Sequence, residues 1–121
     1  MAEFRVIFVA NDYDATVGFF TDVMGLEVER SFGEIFRGTI FLANAGRIEV
    51  IEDGSGWDSP GVTGVTVSWE ITDADAEYSR LVAAGAEIVR PPEMQPWGHK
   101  SLEVAAPDGL RIILFEIVTA Q

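Results

Sequence analysis

The 121-residue sequence contains no cysteine and a single histidine, His99. Without cysteine it has no disulfide framework, no thiolate zinc site and no cysteine nucleophile. Basic residues are also scarce, since 8 Lys and Arg stand against 20 Asp and Glu, for a net charge of −12. Such a field repels nucleic acids and anionic membranes and attracts cations, although an acidic surface also serves solubility alone.

Long apolar runs are missing as well, and no stretch approaches the length of a membrane span. The first residues lack the basic segment and apolar stretch of a signal peptide, so a cytoplasmic location is expected. Apolar residues make up 48% and charged residues 23%, a globular balance. We expect a single domain over residues 1–121.

The sequence repeats itself at an offset of about half its length. Residues 25–30 (GLEVER) resemble residues 85–90 (GAEIVR), and residues 47–52 (RIEVIE) resemble residues 111–116 (RIILFE) in the same order. The repeat predicts two modules joined by a glycine-rich linker. Their expected bounds are about 1–57 and 62–121.

Helix-capping signals occur at matching places in both copies. Asp12 and Thr72 stand where helix N-caps belong, and Gly25 and Gly85 stand where a glycine with positive φ ends a helix. The apolar spacing between the caps predicts two helices, at about 13–24 and 73–84, the second with an apolar stripe of Tyr78, Leu81 and Val82.

β-Branched and apolar runs predict four strands in each module. In the first module they cover about 4–10, 26–32, 35–43 and 46–53, and in the second about 63–71, 86–90, 100–106 and 110–118. The prolines of residues 91–96 predict a longer connection, because proline cannot continue a strand ladder. Each module is then βαβββ, and one alone is too small to bury both faces of its sheet.

Several motifs resemble the glyoxalase/bleomycin-resistance/dioxygenase superfamily, also called the vicinal oxygen chelate superfamily. Residues 11–12 (ND), 17–20 (VGFF) and 24–26 (MGL) are similar to its opening, and residues 107–109 (PDG) with the strand after them are similar to its closing turn. Residues 95–98 (QPWG) resemble a loop of the bleomycin-resistance branch. The resemblance implies an α+β fold of two βαβββ modules that form a curved mixed sheet around a cavity, and a homodimer.

Metal-using relatives take a ligand from the first and last strand of each module, positions that the resemblance carries to Arg5, Glu49, Thr66 and Ile113. The ligands of those relatives are usually His, Gln or Glu, so Glu49 alone of the four matches them. Arginine offers no lone pair and isoleucine no donor atom, whereas a catalytic zinc needs about three protein ligands. One histidine per chain also disfavours a two-histidine iron dioxygenase. We therefore expect no metal and no cofactor, while a magnesium or manganese site made only of carboxylates stays compatible with the composition.

Five residues are predicted to bind a ligand: Arg5, Glu49, Trp97, His99 and Glu103. Glu49 is either a cavity carboxylate or the partner of Arg5 in an ion pair. Trp97 either closes the end of the core or, as the resemblance implies, forms a stacking wall at the cavity mouth. His99 offers a hydrogen bond beside it, and Glu103 is a second candidate carboxylate.

These features favour a metal-free protein that binds and sequesters a small apolar or aromatic molecule, with a cation suited to the acidic charge. Antibiotic resistance by sequestration is the corresponding role, and it needs no turnover. The alternative is a metal-dependent lyase, isomerase or epimerase of the same superfamily that uses Glu49. A third reading is a structural or regulatory dimer without a specific ligand. Whether the chain is an enzyme stays open, with a non-enzyme favoured.

Overall fold

The computed structural model describes residues 2–118, which divide into two compact units. The first unit ends at Thr63 and the second begins at Gly64. Each unit carries one four-stranded mixed sheet with a helix after its first strand. The predicted α+β class with two βαβββ modules is therefore confirmed. Among the residues described, no helix is long and apolar enough to cross a membrane.

The first unit follows the strand, helix and three-strand order. It comprises β1 (Phe4–Ala10), α1 (Tyr13–Gly18), a π-helical continuation (Phe19–Val23), β2 (Glu27–Phe32), β3 (Gly38–Ala43) and β4 (Gly46–Glu52). Its sheet order is β1-β4-β3-β2, with β1 parallel to β4. Asp12 caps α1 as predicted, because its side chain accepts a hydrogen bond from the backbone N–H of Ala15 at 3.1 Å.

The second unit repeats this order. It comprises β5 (Thr66–Glu70), α2 (Ala74–Ala83), β6 (Glu87–Met94), β7 (His99–Ala105), a short 3₁₀ turn (Pro107–Gly109) and β8 (Arg111–Ile117). Its sheet order is β5-β8-β7-β6, with β5 parallel to β8. Thr66 pairs with Arg111 as Arg5 pairs with Arg47, so the two ladders share one register.

In each unit, one face of the sheet is buried with the helix. In the first, the Phe20 ring lies 6.1 Å from the Phe8 ring and 5.3 Å from the Phe41 ring, centroid to centroid. In the second, α2 contacts β6, β7 and β8, and Leu81 is fully buried. Because side chains alternate along a strand, the other face of each sheet carries the residues predicted to bind a ligand.

Three local expectations were wrong. The N-cap of α2 is Asp73, one residue after Thr72, because the Asp73 carboxylate accepts from the N–H of Ala76 at 3.0 Å. Val82, expected on the apolar stripe, is 51% exposed, since Leu81 takes the inward position. The third concerns β6, which runs through Pro91 and Pro92 instead of ending before them. It can do so because it is the edge strand of its sheet, with register shifts on both sides of Arg90.

Glu52, at the end of β4, anchors the loop between β2 and β3. Its carboxylate accepts from the backbone N–H of Arg37 at 3.0 Å and from Arg37 Nε at 2.9 Å. These two hydrogen bonds, the backbone one first, lower the pKa of Glu52 below its ordinary value of 4.5. The loop is thus held by a carboxylate that the folded state keeps ionised.

The Glu52 contacts give a stability contribution that depends on pH. A carboxyl whose pKa is lowered by folding stabilises the protein above pH 4.5, and the contribution is lost as the pH falls through the folded value. We expect Glu52→Gln to lower the thermal midpoint at pH 7 by ~2 °C, because the site is solvent-screened, and to change it little at pH 3. Calorimetry at both pH values checks this, with Glu34→Gln in the same loop as control. An equal loss at both pH values would contradict the ionic explanation.

Candidate functional site

The first unit carries an ion pair on the face of its sheet away from the helix. Arg5 Nη1 donates to Glu49 Oε1 at 2.6 Å, and the other terminal nitrogen of Arg5 contacts Glu3. Glu49 is only 7% exposed and lies in the ladder between Ile7 and Ile40. Its carboxylate is therefore largely shielded from water and is balanced by the guanidinium of Arg5.

The pair belongs to a wider ionic network. Arg47 Nε lies 2.9 Å from a Glu29 carboxylate oxygen and 3.4 Å from a Glu3 oxygen, and Glu3 also contacts Arg5. The hydrogen bond from Arg5 lowers the pKa of Glu3, and the bonds to Glu3 and Glu49 raise the pKa of Arg5. Each carboxylate of this network has an arginine beside it.

The residues at the family's metal positions do not fit a metal ion. Arg5 has no lone pair and its guanidinium lies against Glu49, the one residue of the four with a suitable donor. Ile113 is apolar and lines a cavity in the second unit. Among residues 2–118, no group of three or more His, Asp or Glu side chains is arranged to hold a metal.

The second unit contains a cavity of about 320 Å³ on the sheet face away from α2. One wall is aromatic: the His99 ring stacks on the Phe115 ring with centroids 4.7 Å apart and planes 11° apart. The Trp97 ring stands edge-on to His99 at 6.5 Å, and Trp97 remains 53% exposed. A large aromatic ring open to solvent at a cavity is a ready stacking surface.

A tight turn between β6 and β7 presents Trp97. The N–H of Gln95 donates to the His99 carbonyl at 2.7 Å, and the N–H of Gly98 donates to the Gln95 carbonyl at 3.0 Å. Gly98 is buried and has a φ of 89°, a conformation that residues with a side chain rarely adopt. The turn therefore fixes the backbone on either side of the tryptophan.

Glu103 lines the same cavity but is already paired. Its oxygens lie 3.5 Å from Arg90 Nε and 3.4 Å from Arg111 Nη1. The Glu103 side chain is mostly buried, whereas that of Arg90 is exposed. With two arginines beside it, Glu103 contributes little free negative charge to the cavity.

The structure separates the predicted ligand-binding residues into two groups. Arg5 and Glu49 are in contact in the first unit, and Trp97, His99 and Glu103 line one cavity of the second. The sequence reasoning missed further lining residues: Ser68, Glu93, Gln95, Ser101 and Phe115. Phe115 lies next to the buried Leu114 in β8, yet it faces the cavity and stacks on His99.

A signal for the missed residues was present in the sequence. The odd positions from 93 to 103 all line the cavity, as alternation along two strands joined by a tight turn requires. Treating residues 91–96 as a loop hid that alternation. Because Glu93 pairs with Ser101 across the β6–β7 ladder, both side chains face the same side of the sheet.

Two βαβββ units, the second with an aromatic-lined cavity, define a two-module protein of the glyoxalase type. The model of the Glyoxalase/Bleomycin resistance protein/Dioxygenase superfamily matches residues 4–114, and the chain belongs to this superfamily.

Solved structures share the fold at low sequence identity. TioX from Micromonospora sp. ML1 superposes with a TM-score of 0.80 and 22% identity, covering 97% of this chain and 99% of that one. A glyoxalase/bleomycin resistance protein/dioxygenase from Nocardioides gives a TM-score of 0.76 and 20% identity, covering 100% and 86%. These likenesses concern the fold alone.

Curated relatives match over a shorter stretch. An uncharacterized protein of Mycobacterium bovis is 43% identical over 51 residues, which cover 42% of this chain and 34% of that protein. An uncharacterized protein of Mycobacterium tuberculosis is 43% identical over 51 residues, covering 42% of this chain and 30% of that one. The match thus spans about a third of the length of these relatives.

Proposed function

We propose that this chain binds and sequesters a small planar aromatic molecule, preferably a cation, without a metal and without turnover. The cavity of the second unit is the binding site. The observation that carries the proposal is the aromatic lining of this cavity of about 320 Å³. The half-exposed Trp97 lies there beside the stacked rings of His99 and Phe115. Such a volume lies in the range of small-molecule sites, and aromatic walls with a few polar groups are their usual lining.

The charge of the protein supports the preference for a cation. The net charge of −12 raises the local concentration of cations, and the face of Trp97 attracts them through its quadrupole. Sequestration then protects by mass action, because the bound compound is unavailable to its target. Resistance to a planar aromatic antibiotic is the role that fits.

The chemistry of the first unit supports binding without a metal. Glu49, on which the alternative lyase or isomerase depends, is held by Arg5 at 2.6 Å. An arginine at a position where metal-using relatives carry a ligand lacks a lone pair and also competes for the carboxylate of Glu49. Elemental analysis of protein purified without chelators is expected to find well under one divalent metal per chain. About one metal per chain would favour the enzyme.

Calorimetric titration with N-methylacridinium tests the proposal. We expect saturable binding of one molecule per chain and recovery of the compound unchanged after prolonged incubation. The neutral N-methylacridone, of similar shape, is expected to bind more weakly. A titration without heat or saturation for both compounds overturns the proposed function, and conversion of either compound overturns the absence of turnover.

The proposal includes a homodimer, which the resemblance to the superfamily implies, and a cytoplasmic location. Ile35 is 93% exposed and Phe4 71% exposed, and association would remove such apolar side chains from water. Sedimentation equilibrium at micromolar concentration measures this directly, and a monomer at every concentration contradicts it.

A further inference from the structure

We propose that Glu93 is the counter-charge for the ligand and thereby sets the preference for a cation at this site. This inference rests on the proposed function, which it makes more specific. It follows from asking which carboxylate near the predicted binding residues is free to pair with a ligand. Three carboxylates are candidates: Glu49, Glu93 and Glu103.

Two of these carboxylates are neutralised by arginine. Glu49 accepts a hydrogen bond from Arg5 at 2.6 Å in the first unit. Glu103 lies 3.5 Å from Arg90 and 3.4 Å from Arg111 in the second. A ligand cation would have to displace a guanidinium from either of them. The free energy of the new ion pair would then be offset by the loss of the arginine pair.

Glu93 differs from both. It lines the cavity from the edge strand β6, and within residues 2–118 its carboxylate has no ion pair and accepts no hydrogen bond. The charged residues that line the cavity are Arg90, Glu93 and Glu103. Since Arg90 lies against Glu103, the lining keeps one uncompensated negative charge, that of Glu93.

The position of Glu93 suits a planar aromatic cation. Trp97 lines the same cavity and offers an exposed ring, and Ser101, opposite Glu93 in the ladder, offers a hydroxyl. A flat cation stacked on the ring and paired with the carboxylate would use both contacts together, whereas a neutral molecule would use only the first.

The test compares Glu93→Gln with Glu87→Gln, which removes the same charge from the same strand at a position that does not line the cavity. Calorimetry at low ionic strength is performed with N-methylacridinium and N-methylacridone. We expect Glu93→Gln to weaken the cation about fivefold, as for a solvent-accessible ion pair, and to leave the neutral compound unchanged. Glu87→Gln is expected to change neither by more than about twofold, and salt is expected to shrink the Glu93 effect.

The outcomes separate the inference from the proposed function. Equal losses in the two variants would assign the preference to the general acidic field and overturn the role of Glu93. Equal losses for the two compounds in Glu93→Gln would make its role steric and overturn the inference as well. If neither compound binds the unaltered protein, the proposed function fails and the inference fails with it. Both variants change exposed residues, and their thermal midpoints report that the fold is retained.

Discussion

Replacing Trp97 by alanine is expected to weaken the binding of N-methylacridinium by about thirtyfold or more. Truncation of a large aromatic side chain that anchors a ligand costs at least about 2 kcal/mol of binding free energy. Each 1.4 kcal/mol changes the Kd about tenfold. The ring is 53% exposed, so its loss should cost the fold little while it removes the stacking surface. Isothermal titration calorimetry measures the change, and circular dichroism reports the fold.

Trp57→Ala is the matched control for this substitution. Trp57 lies between the last strand of the first unit and the first strand of the second, is 72% exposed and does not line the cavity. Its removal is expected to leave the affinity within about twofold of the unaltered protein, a change too small for a hot spot. If both substitutions weakened the binding of N-methylacridinium equally, the compound would be adsorbing to exposed tryptophans in general. The cavity of the second unit would then not be the binding site.

Replacing Arg5 by alanine is expected to lower the thermal midpoint by about 4 °C or more at pH 7. The substitution leaves the Glu49 carboxylate, 7% exposed between Ile7 and Ile40, without its counter-charge. Removing one partner of a buried ion pair costs far more than the pair itself contributes, because the remaining charge stays desolvated. In a small protein, a loss of about 1 kcal/mol in the free energy of unfolding lowers the thermal midpoint by several degrees.

The double variant Arg5→Met, Glu49→Leu is expected to recover most of that loss, because it replaces the ionic pair by apolar side chains of similar volume. Arg47→Ala provides the control within the same network, since its partners Glu3 and Glu29 are more exposed and can be hydrated. Differential scanning calorimetry compares the variants. A double variant as unstable as Arg5→Ala would show that Arg5 acts through packing and not through charge.

The repeat in the sequence was enough to predict the order of the helices and strands. Strand β1 at Phe4–Ala10 has the predicted bounds, and most other elements begin and end within three residues of expectation. Two copies of the same apolar pattern constrain each other, because a boundary that is ambiguous in one copy is clearer in the other. The contact between Arg5 and Glu49 was also open to prediction, since adjacent parallel strands bring those positions together.

The composition of the cavity was harder to predict. Prolines at 91 and 92 favour a loop in local reasoning, and only the sheet order makes β6 an edge strand that tolerates them. The same uncertainty concealed Glu93, whose orientation depends on a ladder with two register shifts. Phe115 looked like core because its neighbours Leu114 and Ile112 are buried, yet alternation turns it to the opposite face.

The two prolines of β6 also bear on how the protein behaves in concentrated solution. An outer strand with a continuous row of amide donors is a template on which other chains assemble into fibrils. Because the N–H groups of successive residues point to opposite edges of a strand, Pro91 and Pro92 together remove one donor from that outer row, and the register shifts beside Arg90 interrupt the regular ladder. The edge of the sheet that borders the cavity is therefore a poorer template for the addition of another strand than a regular, proline-free edge would be.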